Sequence, residues 1–161
     1  MKKTSSGFSL IELLIVVAII LIIAAIAIPN LLRSKIAANQ ASCVGSLRTL
    51  NTAEITYSST YNTGYSSTLI ALGPQAVGAQ PTATSAGLID SVLAAGTKSG
   101  YSLIYTPGTA DSAGNVDTYG ITGSPLVQGS TGQNFYFTDE SNVIRFNTAA
   151  TAAATDSPIG G

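Results

Sequence analysis

Apolar and polar positions divide the chain into stretches of different period. From Leu13 to Ile28 sixteen consecutive residues are apolar, with Phe8, Leu10 and Ile11 in front of them. That makes a segment of about 20 residues, the length that crosses a bilayer as a helix. Glu12 is its one charge. A carboxylate at membrane depth costs a few kcal/mol and calls for a partner. Beyond Pro29 the pattern changes. Leu32, Ile36, Cys43, Leu47, Leu50, Tyr57 and Tyr61 recur at spacings close to three and four, with Gln40 and Glu54 in the intervening slots. Arg33, Asn39, Ser46, Thr49 and Asn51 lie opposite, so the stretch predicts an amphipathic helix whose stripe covers a domain. Ala37, Ala38, Ala41 and Ala53 add helix propensity. Pro29 removes a backbone bond and clashes with the turn before it. Because the helical pattern resumes beyond it, a kink is expected there, not an end. One helix from Phe8 to Tyr61 would be on the order of 80 Å long. Gly45 inside it costs up to about 1 kcal/mol relative to alanine and is expected to allow close packing. Cys43, on the apolar stripe, reads as a small buried hydrophobe.

The remaining pattern is that of short elements. Residues 62–100 are rich in Gly, Ser, Thr and Ala and form a connecting region with two short helices, 67–72 and 88–95, the second closed by Gly96. Alternation predicts strands at Tyr101–Tyr105 and, weakened by Gly120, at Asp117–Ile121. Phe135–Thr138 and Val143–Phe146 read as a hairpin about the polar turn Asp139–Asn142, with aromatic pairs facing the helix stripe. Residues 149–161, rich in Ala and Thr, read as a loosely held tail. The expected fold class is α+β: a long N-terminal helix, apolar over 8–29 and amphipathic over 30–61, on a small antiparallel sheet within 101–148.

Composition narrows the chemistry. The chain has 161 residues, room for one membrane-crossing helix and one small domain. Net charge is −1 and no basic patch is visible, so no nucleic-acid partner is expected. A single cysteine excludes an intrachain disulfide. Histidine is absent, which removes the commonest general base and metal ligand. Asp111-Ser112-Ala113-Gly114-Asn115-Val116-Asp117 offers carboxylates around a glycine, and Asp111 and Asp117 are the weak candidates for a calcium site. The spacing is not that of an EF-hand, and a polar turn accounts for it better. Asp139-Glu140 likewise reads as a hairpin tip. Tyr57, Tyr61 and Tyr65 could stack for charge transport along a fibre, but helical spacing makes them core contacts. No Ser, Lys or Asp has a visible catalytic companion, so neither enzyme activity nor a cofactor is expected.

The N-terminus admits three readings. Lys2-Lys3 before an apolar run suits a secretory signal cut near Ala25-Ile26-Ala27, a signal anchor that stays in the membrane, or a leader cut before the run. Lys2-Lys3-Thr4-Ser5-Ser6-Gly7, followed by Phe8-Ser9-Leu10-Ile11-Glu12-Leu13-Leu14, resembles the class III signal of type IV pilins and pseudopilins. Gly7, Phe8, Glu12 and Pro29 fall at the spacings of that family, and the likeness extends over roughly residues 1–60.

The resemblance implies a leader, 1–7, cut by a prepilin peptidase between Gly7 and Phe8, and methylation of the new Phe8 amine. It implies that Glu12 pairs with the Phe8 amine of a neighbouring subunit, since two charges in a low-dielectric bundle are tolerable only when paired. It places the chain in the bacterial inner membrane before assembly and in an extracellular fibre afterwards, with identical subunits and an inner-membrane assembly platform as partners. In filaments of the family the stretch before the proline often melts. Here that stretch is Leu21–Pro29, which contains no glycine. The resemblance implies a major pilin, with a type II secretion pseudopilin or a minor pilin acting as a tip adhesin as the alternatives. The major pseudopilin form carries a Trp-containing stretch, and this chain has no tryptophan.

Overall fold

The computed structural model describes residues 8–160. Helix α1 runs without interruption from Leu10 to Tyr61, through Pro29. The chain forms two compact units, divided within α1 between Lys35 and Ile36. In the N-terminal unit no described side chain is buried, and only Ala24 is partly covered. α1 starts at Leu10 and not at Phe8 because Ser9 serves as its cap. The helix ends where Asn62 enters the left-handed region (φ 54°) with its N–H on the Ser58 carbonyl.

In the C-terminal unit, the head, α1 buries Cys43, Leu47, Leu50, Ala53 and Tyr57. It also buries Ser46, Asn51 and Glu54. Ser46 and Asn51 were expected on the polar face, so the covered stripe is wider than the apolar pattern. Asn51 is tolerated there because it is hydrogen-bonded: its Nδ2 donates to Thr138 Oγ1 (2.8 Å), and Tyr119 Oη donates to its Oδ1 (3.2 Å). On the exposed side, the hydroxyls of Thr49, Thr52, Thr56 and Thr60 donate to the carbonyls of Gly45, Arg48, Thr52 and Thr56, one turn back.

The sheet is an antiparallel meander ordered β1-β2-β3-β4-β5: Thr97–Lys98, Tyr101–Pro107, Tyr119–Pro125, Phe135–Asp139 and Arg145–Asn147. β1 was not foreseen. It pairs with β2 through a two-residue turn in which Ser99 and Gly100 both have positive φ (49° and 74°), the geometry whose twist matches the strands. β3 begins two residues later than expected and extends to Pro125. Its last residues, Gly-Ser-Pro, resemble turn chemistry, yet Gly123 faces the helix: a Cβ there would lie 2.8 Å from Cys43 Sγ. Gly123 is therefore the residue that permits close approach. Gly45, expected in that role, is exposed with nothing within 4 Å of where its Cβ would be.

The β4–β5 hairpin pairs Tyr136 with Phe146, both facing the core. β5 starts at Arg145, later than the pattern suggested, because the Asp139 carboxylate engages the N–H and hydroxyl of Ser141 and widens the turn. In the connecting region Leu69–Leu72 is a 3-10 turn capped by Thr68, and α2 spans Ser91–Ala94, capped by Asp90. Residues 149–160, expected to be a loose tail, are fastened to β5. Phe146 N–H donates to Ser157 O (3.0 Å) and Ile159 N–H to Ile144 O (2.9 Å). Asp156 accepts from Asn147 Nδ2 (3.0 Å), and its backbone oxygen accepts from Arg145 Nη1 (3.1 Å).

Candidate assembly site

Phe8, Ser9 and Glu12 stand at the start of α1. With Ser9 as cap, Leu10, Ile11 and Glu12 occupy the first three helical positions. The four leading N–H groups of a helix lack internal partners and favour negative charge. Glu12 answers this locally: its Oε2 accepts from the Ser9 N–H at 2.9 Å, and Leu13 N–H closes the first turn on Ser9 O at 3.2 Å. Ser9-x-x-Glu12 is thus the carboxylate half of a capping box. The Ser-x-x-Glu spacing that makes this bond is readable in the sequence.

From Leu13 to Ile28 the helix is apolar on every side. Phe8 is 78% exposed, and none of the most apolar 18-residue window of α1 is buried. By length and composition the helix can cross a membrane. Aliphatic surface of this extent, uncovered by its own chain, marks a membrane or interaction surface. Gly7, the predicted residue before the cut, lies outside the described residues, as do Lys2 and Lys3.

The head's sequence-derived candidates resolve differently. Asp111 Oδ1 accepts from the N–H groups of Ala113 and Asn115, both at 2.8 Å, and Oδ2 from Asn115 Nδ2 at 3.1 Å. Those bonds, led by Asn115, hold its carboxyl below the usual range. Its lone pairs are directed into its own turn, and Asp117 does not join it: among the described residues no group of three or more His, Cys, Asp or Glu could hold a metal ion. Cys43 is 2% exposed, and burial pushes its thiol up to about 12, the state of an unreactive structural cysteine. The rings of Tyr57 and Tyr61 meet at a tilt of 48° with centroids 4.8 Å apart, while Tyr65 turns edge-on to Tyr119 at 4.7 Å, so the three do not form one row.

Glu54 went unremarked as a polar anchor. It is fully buried, with Oε2 accepting from Ser66 N–H (2.9 Å) and Oε1 from Ser66 Oγ (2.6 Å). Tyr105 Oη donates to Ser66 O at 2.7 Å. The group fastens the end of α1 to the connecting region and to β2. Nothing in the local sequence marks Ser66 as its partner, twelve residues away.

Residues 2–28 match the family model described as the prokaryotic N-terminal methylation motif. The chain carries the class III signal of type IV pilins and pseudopilins. No curated protein and no solved structure matches it significantly. The signal and the fold agree, since a long N-terminal helix followed by a five-stranded antiparallel sheet is the pilin-like α+β arrangement. The motif implies processing by a prepilin peptidase and entry into pilus-type assembly. With the exposed apolar helix it fits an inner-membrane anchor before assembly.

Proposed function

We propose that this pilin-like chain is the major subunit of a type IV pilus. It is held in the inner membrane by the apolar half of α1, cut between Gly7 and Phe8, methylated on the Phe8 amine and polymerised into an extracellular fibre of identical subunits. The observation that carries this reading is Glu12: a lone carboxylate at the start of an apolar stretch of helix, 10–28, that buries none of its side chains, four residues after the Phe8 of a methylation motif. In the single chain Glu12 holds the Ser9 N–H. In a bundle of such helices it exchanges that neutral donor for the Phe8 ammonium of a neighbour, a bond in which both partners are charged. Loss of either partner leaves a buried unpaired charge, so the pair fixes the axial step between subunits. Pro29 is the position at which the bundled helix bends or opens, because residue 25 cannot receive a bond from it.

The reading is tested on shed surface material. Abundant fibres whose chief component begins with N-methyl-Phe8 are expected. Glu12→Ala should be processed and inserted but should yield no fibres. A mature chain beginning after Ala27 would overturn the reading, and a scarce product confined to the periplasm would favour a pseudopilin.

A further inference from the structure

The head has two apolar surfaces that its own fold leaves open, on opposite edges of the sheet. The first is a groove of about 470 Å³ beside β5, lined by Ala41, Val44 and Arg48 of α1, Tyr136 and Phe146 of the sheet, and Ile159. Arg48 is the one charged residue lining it, and it also lines an adjoining hollow of about 250 Å³. Among the described residues no carboxylate lies within ion-pair distance of the Arg48 guanidinium. The second surface lies by α2, which packs on β1 and on the 3-10 turn. Ile70, Pro74, Ser91 and Ala94 line a shallow hollow of about 330 Å³ there, and Ile70 is 71% exposed. At its border stands Asp90, whose side chain is 58% exposed. Asp90 Oδ1 caps α2 by accepting from Leu93 N–H (2.7 Å), and Lys98 Nζ is 3.6 Å from Oδ2; an exposed pair of this kind contributes little, so Oδ2 is the oxygen that can meet a second cation.

We propose that these surfaces are the two halves of one contact between copies of this chain: the α2 face of one head seats in the β5-side groove of the next, with Asp90 against Arg48. The charges are complementary, and each surface places its charge beside apolar area. Because the halves are different surfaces on opposite edges, the contact is heterologous. Each added copy leaves one groove and one α2 face unused, so the contact propagates instead of closing as a dimer does. It rests on the assembly reading only in that copies of the chain meet.

Disulfide trapping in the full-length chain tests it. Ala41→Cys and Ser91→Cys place thiols at the groove and the α2 face, while Cys43 stays buried. The double variant, oxidised in membranes and in shed material, should give a ladder of dimer, trimer and higher species. Each single variant alone should give monomer, and the two singles mixed should give dimer only. In the double variant Arg48→Glu should remove the ladder, and Arg48→Lys should keep it. No ladder in either sample overturns the contact, as does self-dimerisation of either single variant or a ladder indifferent to Arg48→Glu. A ladder in membranes that bear no fibres upholds the contact and defeats the pilus reading. Fibres without a ladder do the reverse.

Discussion

Between Leu10 and Ile28 α1 carries aliphatic side chains on every face and buries none of them, whereas between Cys43 and Tyr57 the same helix buries Asn51 and Glu54 and leaves Ile55 in solvent. Hydropathy alone would assign burial the other way round. The difference lies in what each stretch has for a partner. The head half meets its own sheet, which supplies Thr138, Tyr119 and, with the connecting region, Ser66 to satisfy what it covers. Among the described residues the N-terminal half has no such partner, and its apolar surface is uncovered by its own chain, which fits an inner-membrane anchor. Polar burial in the head is thus a matter of specific hydrogen bonds, while apolar exposure at the N-terminus is a matter of environment.

Substitutions that act on one half and spare the other break or sharpen this contrast. The largest effect is expected from Glu12→Ala, with complete loss of fibres and an unchanged melting temperature of the head in detergent-solubilised protein. A joint loss of both would mean that the halves are not separable. Next comes the pair Leu47→Ala and Leu21→Ala. Leu47 is fully buried, and its truncation should cost the head about 2–5 kcal/mol by denaturant titration, while Leu21→Ala should leave that titration unmoved. Glu54→Ala leaves the Ser66 N–H without an acceptor and the Ser66 hydroxyl with Thr68 O alone (3.2 Å), for a loss of about 1–3 kcal/mol on the same assay.

The tyrosines give a pH test. Burial raises Tyr101, Tyr105 and Tyr119 above their ordinary value of 10.0. A group raised in the folded state contributes stability that is intact below its unfolded value and lost as pH rises beyond it. The head should therefore hold its stability up to about pH 10 and lose it progressively above, as followed by tyrosinate absorbance and circular dichroism together. The smallest effect, and the one of opposite sign, is Gly45→Ala. With open space at the Cβ position and helical backbone, it should stabilise the head by up to about 1 kcal/mol, seen as a higher melting temperature.

The sequence reading succeeded where periodicity or a local motif decides. α1, the strands β2 to β5 and the aromatic pairing across the last hairpin follow from spacing, and the methylation signal from a contiguous run. It fell short where a residue's role depends on a distant neighbour. Gly123 resembles a turn residue until Cys43 is placed above it. Asn51 belongs to a polar face until Thr138 and Tyr119 reach it. Residues 149–160 look unanchored because backbone groups and one carboxylate, Asp156, hold them, and neither leaves a hydrophobic pattern. At Glu12 a local motif decides as well: the Ser9-x-x-Glu12 spacing marks the capping bond to the Ser9 N–H, beside the intermolecular role that the family signal implies.

The threonine row along the outer side of α1 carries a further consequence. Thr49, Thr52, Thr56 and Thr60 each give their hydroxyl proton to the helix's own backbone and so turn methyl groups outward. Such a strip demands little from surrounding water and has no charge with which to select a companion. Stripping solvent from it costs less than stripping it from lysines or glutamates would. A strip of this kind can be covered and uncovered repeatedly without trapping the molecule in either condition.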